Sequence, residues 1–291
     1  MEAKDTFFYR KSTINCAGKL LPIDKPLVMG ILNVSTDSFY GKGTSLEMEQ
    51  IICRAKNILD QGGDIIDIGG ESTKPGSIPI AAKEELNKVI PAIKTIKEHF
   101  PHAVISIDTS KAIVAENAVK AGAAIVNDIS GGTFDKAMFA TVAALNVPYI
   151  LMHIKGKPET MQKDPFYEDV VKEVMMYFSE KIYNLKQLGV HDIIIDPGFG
   201  FAKNAIHNYT LLNHLEDFKI FNLPVLVGVS RKRMINQILK ITPEEALNGT
   251  TVLNTMALLK GAAFLRVHDV KEAVEAVKII TFAQTITNNA D

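Results

Sequence analysis

Length, composition and charge exclude several classes of protein before any motif is considered. The chain has 291 residues, of which 47% are hydrophobic, so it can bury a large core, and one α/β barrel of ~250 residues would account for most of it. Its 32 basic and 33 acidic residues leave a formal charge of -1, which gives no basic excess for binding nucleic acid or an anionic membrane surface.

The cysteines and the N-terminus bear on the cellular compartment. Cys16 and Cys53 lie far apart in the sequence and predict neither a disulfide framework nor a cysteine-based zinc site. The N-terminal segment lacks the apolar region of a signal peptide, and no stretch approaches the ~18 apolar residues of a membrane span. We therefore expect a soluble protein of the reducing cytoplasm.

A short hairpin is predicted at the start of the chain. Over residues 6–21, apolar and polar residues alternate loosely around Lys11-Ser12 and Ala17-Gly18, which is typical of two antiparallel strands. We expect this hairpin to plug one end of the domain that follows.

From Leu27 onward, short apolar strands alternate with helical patterns, which indicates βαβ units and a parallel sheet. The eight predicted strands are Val28–Asn33, Ile65–Gly69, Val104–Asp108, Ile125–Asp128, Tyr149–His153, Ile193–Asp196, Val225–Val229 and Phe264–Val267. Because no linker divides the chain, we predict one domain, residues 1–291, folded as a (β/α)8 TIM barrel with an N-terminal β-hairpin. An open doubly wound sheet is the alternative, although no Gly-x-Gly-x-x-Gly motif follows the first strand.

The stretch from Ile193 to Lys203 shows most clearly where a ligand would bind. Three β-branched residues form a buried strand that stops at Asp196 and continues into a proline and two glycines, as at a ligand site of a parallel sheet. Polar groups end all eight strands, at Asn33, Gly69-Gly70-Glu71-Ser72-Thr73, Asp108-Thr109, Asn127-Asp128, His153, Asp196, Ser230-Arg231-Lys232 and Arg266-Val267-His268. Any one of these residues, for example Asp108 before Thr109, could equally well cap the following helix. Polar residues at the ends of all eight strands instead favour a single active site at the mouth of the barrel.

Barrel closure would bring the last strand beside the first. Arg266 and His268 would then face Asn33 and the glycine-containing loop 34–43. Two possible cations, an amide oxygen and glycine-rich backbone together suit an anion and a metal ion. Mg²⁺ bridging Asn33 and a phosphate would fit, because this ion keeps its waters and takes oxygen ligands from the substrate.

The middle strands predict a second half of the site. Asp108, Asn127 and Asp196 would point at one volume, where two carboxylates and an amide suit a flat heterocycle with several N–H donors. Glycosidase acid–base chemistry also uses a carboxylate pair, although the neighbouring anion site argues against it. Lys232 could instead form a Schiff base if a dry pocket lowers its pKa. His153 is expected as a hydrogen-bonded pocket wall rather than a metal ligand, because no second histidine stands at ligand spacing.

Seven motifs, in order between Val28 and Ile280, resemble those of the dihydropteroate synthases of folate biosynthesis. The motifs are Met29-Gly-Ile-Leu-Asn-Val, Asp64-Ile-Ile-Asp-Ile-Gly-Gly-Glu-Ser-Thr73, Ser106-Ile-Asp-Thr-Ser110, Val126-Asn-Asp-Ile129, Asp196-Pro-Gly-Phe-Gly-Phe201, Val229-Ser-Arg-Lys232 and Arg266-Val-His-Asp269. The resemblance implies a transferase that joins 6-hydroxymethyl-7,8-dihydropterin diphosphate to 4-aminobenzoate and releases diphosphate. It also implies Mg²⁺ as cofactor and a homodimer formed through outer helices near the C-terminus.

The resemblance further implies a role for each matching residue. The pterin would be bound by Asp108, Asn127, Ile129, Met152, Asp196, Gly228 and Lys232, and the diphosphate by Asn33, Arg266 and His268, with Asn33 also holding the metal. The 4-aminobenzoate would be flanked by Thr73, Phe201, Ser230 and Lys232, with Ser230 at its carboxylate. The catalytic residues would be Asp108, Asp196, Lys232 and Arg266. Since an aromatic amine is a neutral nucleophile, departure of diphosphate is the hard step, which predicts an SN1-like path.

Two loops depart from the family pattern. The first usually reads Asn-Val-Thr-Pro-Asp-Ser-Phe-Ser-Asp-Gly-Gly, whereas residues 33–43 here lack the proline and carry Gly41 at an acidic position. The second usually carries Thr-Arg-Pro-Gly, and here it is Thr73-Lys74-Pro75-Gly76, in which lysine cannot reproduce arginine's planar fork. We expect both loops to be ordered by the first substrate, so that 4-aminobenzoate binds poorly to empty enzyme, and sulfonamide sensitivity depends on them.

Two rival functions remain open. A methyltransferase domain that passes a methyl group from methyltetrahydrofolate to a corrinoid protein would use the same barrel and carboxylates without a diphosphate. A non-catalytic pterin-binding barrel would have a broken anion site. The segments Ser230-Arg-Lys232 and Arg266-Val-His268 favour the synthase over both.

Overall fold

The structure, a computed structural model, describes residues 12–34, 45–71, 79–156, 161 and 165–288 of the chain. The strands are β1 (Thr13–Cys16), β2 (Lys19–Pro22), β3 (Leu27–Asn33), β4 (Ile65–Gly69), β5 (Val104–Asp108), β6 (Ile125–Asp128), β7 (Tyr149–Met152), β8 (Ile193–Asp196), β9 (Leu226–Val227) and β10 (Phe264–Val267). The helices are α1 (Ser45–Asp60), α2 (Ala82–His99), α3 (Ala112–Ala121), α4 (Met138–Leu145), α5 (Val170–Gln187), α6 (Ala205–Asn213), a 3-10 helix (Leu215–Phe221), α7 (Arg233–Leu239), α8 (Leu247–Leu259) and α9 (Val270–Asn288).

Eight parallel strands form the barrel. They are hydrogen-bonded in the order β8-β7-β6-β5-β4-β3-β10-β9, and a parallel bridge between Ile195 and Val225 joins β8 to β9. The predicted TIM barrel is therefore confirmed, and the open doubly wound sheet is excluded. No helix within the described ranges is both long and apolar enough to cross a membrane.

Two predicted strands are shorter than expected. The fifth ends at Met152 rather than His153, and the seventh is confined to Leu226–Val227. The seventh strand stops early because the Val229 carbonyl accepts the Lys232 N–H at 3.2 Å and so begins a turn. Strand ends that turn toward a ligand site are poorly marked by apolar pattern alone.

The N-terminal hairpin closes the end of the barrel where the strands begin. Its strands β1 and β2 are joined at Ala17 and Gly18, both at positive φ, as in a two-residue hairpin turn. The predicted residues 6–11 lie outside the described chain. Side chains of β1 pack on the first inward residues of the barrel strands, in a cluster of Ile14, Cys16, Leu27, Met29, Ile65, Val104, Ala124, Ile125, Ile150, Ile194, Leu226 and Phe264. The predicted plug is confirmed.

The opposite end of the barrel is polar because of register. Parallel pairing aligns Asn33 with Gly69, Gly69 with Asp108, and Asp108 with Asn127 in one row across β3 to β6. Residues paired in this way point to the same face of a sheet, here the barrel interior. The glycine in the row leaves room, since a Cβ added at Gly69 would lie 3.2 Å from Asn33 Oδ1.

Candidate active site

Arg266 on β10 lies in the barrel mouth between two buried carboxylates. Its Nε donates to Asp67 Oδ2 and its Nη2 to Asp108 Oδ2, each at 2.6 Å. Asn127 Nδ2 donates to the same Asp67 oxygen at 3.1 Å. Burial lowers the pKa of Arg266, but attraction to Asp67 and Asp108 outweighs burial and raises it above its ordinary value. The guanidinium is therefore a permanent, oriented cation.

Asp67 was not among the predicted site residues. It lies on β4 two residues before Gly69, so its side chain points into the barrel one layer below the mouth. The side chain is fully buried, and no described residue donates a hydrogen bond to its Oδ1. The available signal was a carboxylate inside the run Ile65-Ile-Asp-Ile68, because a buried charge requires a partner.

Asp108 faces Arg266 in the barrel mouth and does not cap a helix. Helix α3 starts at Ala112, whose N–H donates to Asp135 Oδ2 at 2.8 Å, so the capping alternative is wrong. Burial raises the pKa of Asp108 to about 7, against the opposing pull of Arg266, and nearby carboxylates add to the rise. Both the ionised and the protonated form of this carboxyl are therefore populated near neutral pH.

Asp196 ends β8 as predicted and organises the loop after it. Its Oδ1 accepts the Gly198 N–H at 2.7 Å. Gly198 has φ +73, and a Cβ there would lie 2.0 Å from the His153 carbonyl oxygen, so only glycine fits. Burial raises the pKa of Asp196, and the charge of Lys232 opposes that rise.

Lys232 lies close to Asp196 and to the loop that carries Phe199 and Phe201. Its Nζ donates to the Phe199 carbonyl and lies 4.8 Å from the centroid of the Phe201 ring. Burial lowers the pKa of Lys232 to about 8, although attraction to Asp196 opposes this. Gly228 lies beside this lysine, since a Cβ there would be 3.8 Å from Lys232 Nζ.

Lys203 is a second buried lysine, and no role was predicted for it. Its Nζ lies 2.9 Å from His153 Nδ1 and donates to the carbonyls of Gly198 and Phe201, each at 3.0 Å. Burial lowers the pKa of Lys203 to about 7. Burial and this lysine together hold the pKa of His153 well below its ordinary value. The predicted hydrogen-bonded His153 is thus confirmed, with Lys203 as its partner.

Two predicted apolar contacts of the pterin, Ile129 and Met152, lie together with Phe201, a predicted contact of 4-aminobenzoate. Ile129, Met152 and Phe201 belong to one buried cluster, with Ile154, Met161 and Ala202. The cluster includes Phe201, two residues after Phe199, whose carbonyl accepts from Lys232. An apolar wall therefore lies next to the carboxylate of Asp196. A flat ring with polar edges fits such a wall.

Ser230 and His268 join the ends of β9 and β10. Ser230 Oγ accepts the His268 N–H at 3.2 Å and lies 3.1 Å from His268 Nδ1. Burial and the charge of Arg266 lower the pKa of His268 to about 4. At neutral pH the imidazole is therefore neutral, not the second cation that the sequence suggested beside Arg266.

Asn33 ends β3 with an exposed side chain beside Gly69. Within the described ranges, no three His, Cys, Asp or Glu side chains form a metal-holding group. A single amide oxygen suits Mg²⁺ when phosphate oxygens and water complete its shell, so Asn33 fits an ion that arrives with its substrate. Thr73 and most of the loops 34–43 and 73–78 lie outside the described residues, and their predicted roles stay predictions.

Known proteins show the same architecture and motifs. The model of the pterin binding enzyme family matches residues 29–268. The dihydropteroate synthase of Escherichia coli (strain K12) is 45% identical over 265 residues, which are 90% of this chain and 93% of that protein.

Two solved structures support the same relationship. Yersinia pestis dihydropteroate synthase in a sulfonamide drug complex has a TM-score of 0.88 at 38% identity and covers 94% of this chain and 99% of its own. Xanthomonas albilineans dihydropteroate synthase with 4-aminobenzoic acid has a TM-score of 0.86 at 38% identity, covering 94% and 98%. The chain therefore belongs to the pterin binding enzyme family, among its dihydropteroate synthases.

Proposed function

We propose that the barrel mouth condenses 6-hydroxymethyl-7,8-dihydropterin diphosphate with 4-aminobenzoate by a dissociative, SN1-like path. The observation that carries the proposal is the arrangement of charges: Arg266 on β10 lies between Asp67 and Asp108, and His268 directly follows the same strand. A permanent cation next to buried carboxylates can stabilise both products of bond breaking, an anion that leaves and a cation that stays.

The carboxylates and the apolar wall bind the pterin. Asp108, Asn127 and Asp196 offer acceptors to the N–H donors of the ring, while Ile129 and Met152 supply apolar contacts to its faces. As the diphosphate departs, positive charge develops on the dihydropterin. The nearby ionised carboxylates lower the energy of that charge.

Arg266 and His268 receive the diphosphate. Arginine has five N–H donors, and two of them are used by Asp67 and Asp108. An anion can therefore bind Arg266 without displacing its carboxylate partners. Asn33 would hold Mg²⁺ together with diphosphate oxygens, and the bound ion supplies charge neutralisation for the leaving group.

The second substrate enters beside Lys232. Phe201 offers a ring face, and Ser230 offers a hydroxyl for the carboxylate of 4-aminobenzoate. Lys232 lies between this position and Asp196, so it reaches both substrates. We also propose that sulfonamides bind at this position.

Diphosphate release from the pterin diphosphate, measured with and without 4-aminobenzoate, tests the proposal. Release that requires 4-aminobenzoate and yields 7,8-dihydropteroate is the expected result. Methyl transfer from methyltetrahydrofolate without diphosphate chemistry would support the corrinoid methyltransferase instead, and pterin binding without turnover would support the non-catalytic barrel.

We also propose a homodimer formed through α8 and α9. Val252 and Leu259 on α8, and Ile279 and Phe282 on α9, are each more than half exposed, and the two helices contact each other. Sedimentation of the wild type should show a dimer, and Phe282→Glu should shift it toward monomer. A monomeric wild type at micromolar concentration would contradict this assembly.

A further inference from the structure

Two neighbouring pairs of residues join the loops after β9 and β10. Ser230 contacts His268, and the next residues along each loop, Arg231 and Asp269, form an ion pair. We propose that Arg231 and Asp269 are positioning residues that hold the 4-aminobenzoate half of the site at a set spacing from the diphosphate half. The inference rests on the proposed function, because it takes Ser230 and Lys232 as contacts of 4-aminobenzoate.

The ion pair has the geometry of a specific contact. Arg231 Nη2 donates to Asp269 Oδ1 at 2.7 Å, and Nε donates to Asp269 Oδ2 at 3.0 Å. The two side chains are 26% and 15% exposed. The hydrogen bond to Asp269 raises the pKa of Arg231. Such a bidentate fork fixes orientation as well as distance, which a lysine would not do.

The rest of Arg231 holds its own loop in place. Nη1 donates to the carbonyls of Pro243 and Glu244 at 2.9 and 2.7 Å, and the backbone N–H donates to Thr250 Oγ1 at 3.0 Å. Arg231 has φ +54, a left-handed conformation that non-glycine residues adopt only when their surroundings hold them there.

This backbone conformation decides where the neighbouring side chains go. Arg231 points outward to Asp269, while Ser230 is buried against His268 and Lys232 reaches the Phe199 carbonyl. The loop is therefore anchored on its outer side, and its two functional side chains lie on the inner side. Loss of the anchor would let the inner side chains move relative to Arg266.

The spacing matters for the reaction because the amine must reach the carbon that loses diphosphate. A misplacement of about 1 Å in a positioned pair can lower a rate by about a hundredfold. A purely structural ion pair would instead change the stability of the protein and leave the kinetic constants of the folded enzyme unchanged.

The test compares wild type, Asp269→Asn, Asp269→Glu and Arg231→Lys. The control is Glu116→Gln, which removes the charge from the exposed Glu116–Lys120 pair on α3. The Michaelis constant for 4-aminobenzoate and kcat are measured at saturating pterin diphosphate, per folded enzyme as judged by circular dichroism and Tm. Asp269→Asn should raise that Michaelis constant and lower kcat, each by about tenfold, with Asp269→Glu recovering part of both.

The double variant Arg231→Lys/Asp269→Asn should be no worse than the worse single variant, since both changes disrupt one contact. Should Asp269→Asn not fold, Arg231→Lys carries the comparison. Kinetic constants within twofold of wild type in both variants, with or without a lower Tm, would overturn the inference. A wild type that releases no diphosphate in response to 4-aminobenzoate would overturn the proposed function, and the inference with it.

Discussion

The two ends of the barrel interior are chemical opposites, even at positions where both are fully buried. Ile65 and Asp67 are two residues apart on β4, both fully buried and both pointing inward. Phe264 and Arg266 are likewise two residues apart on β10, Phe264 fully buried and Arg266 partly exposed at the mouth. At the end where the strands begin, inward-facing residues pack against the hairpin. Two residues further along the same strands, inward-facing residues form ion pairs.

The difference shows how one short strand serves both stability and chemistry. The apolar end next to the hairpin should tolerate small substitutions, because the loss of one methylene group lowers stability only by its transfer free energy and the cost of a small cavity. A buried ion pair is intolerant, because removal of one partner leaves the other charged and desolvated. Substitutions at the two ends should therefore differ in kind.

The largest effect is expected from Arg266→Ala. It removes the cation that receives the diphosphate, so kcat should fall by about a hundred- to a thousandfold, the range seen when one group that stabilises transition-state charge is deleted. Steady-state diphosphate release measures it, with Arg233→Ala on the exposed face of α7 as the control. Arg266→Gln, which also removes the charge, serves as a second variant if the alanine form fails to fold, and full activity in either would refute the assignment of the anion site.

A smaller effect is expected from Asp67→Asn, compared directly with Ile65→Val on the same strand. A hydrogen bond to a charged group contributes about 1.5–3 kcal/mol, so loss of the Asp67 charge should lower kcat/KM by about ten- to a hundredfold. Ile65→Val should leave kcat/KM unchanged. Equal effects of the two substitutions on kcat/KM would contradict the proposed difference between the two ends of the barrel.

The pH dependence of kcat/KM for pterin diphosphate should report the charged end alone. Activity should rise as Asp108 ionises with its pKa of about 7, and fall as Lys232 loses its proton with its pKa of about 8. Asp108→Asn should abolish the acid limb and keep the alkaline one. An unchanged acid limb in that variant would assign the lower pKa to another group.

The smallest effect is expected at the plugged end. Ile65→Val removes one methylene group from the cluster against the hairpin, which should lower the free energy of unfolding by about 0.5–1.5 kcal/mol. Urea unfolding followed by circular dichroism measures the loss. A change above ~3 kcal/mol would show that this end is as intolerant as the mouth.

Much of the fold was predictable because it depends on local pattern. Each β-branched run ends at a polar residue or glycine, so the strands and the mouth residues Asn33, Asp108 and Asp196 could be named from the sequence. The resemblance to a known family then assigned chemistry to the same positions. Asp67 and Lys203 were missed because their side-chain partners, Arg266 and His153, lie far from them in the sequence.

The amino-acid sequence by itself determined the order of elements, the barrel and the family, since strand length, alternation and motif order are local properties. Only the tertiary structure decided which charges meet. Arg266 is 199 residues from Asp67 and 158 from Asp108, and barrel closure alone brings them together. The tertiary structure also determines that His268 is neutral, because its pKa is lowered through burial by elements that are distant in the chain.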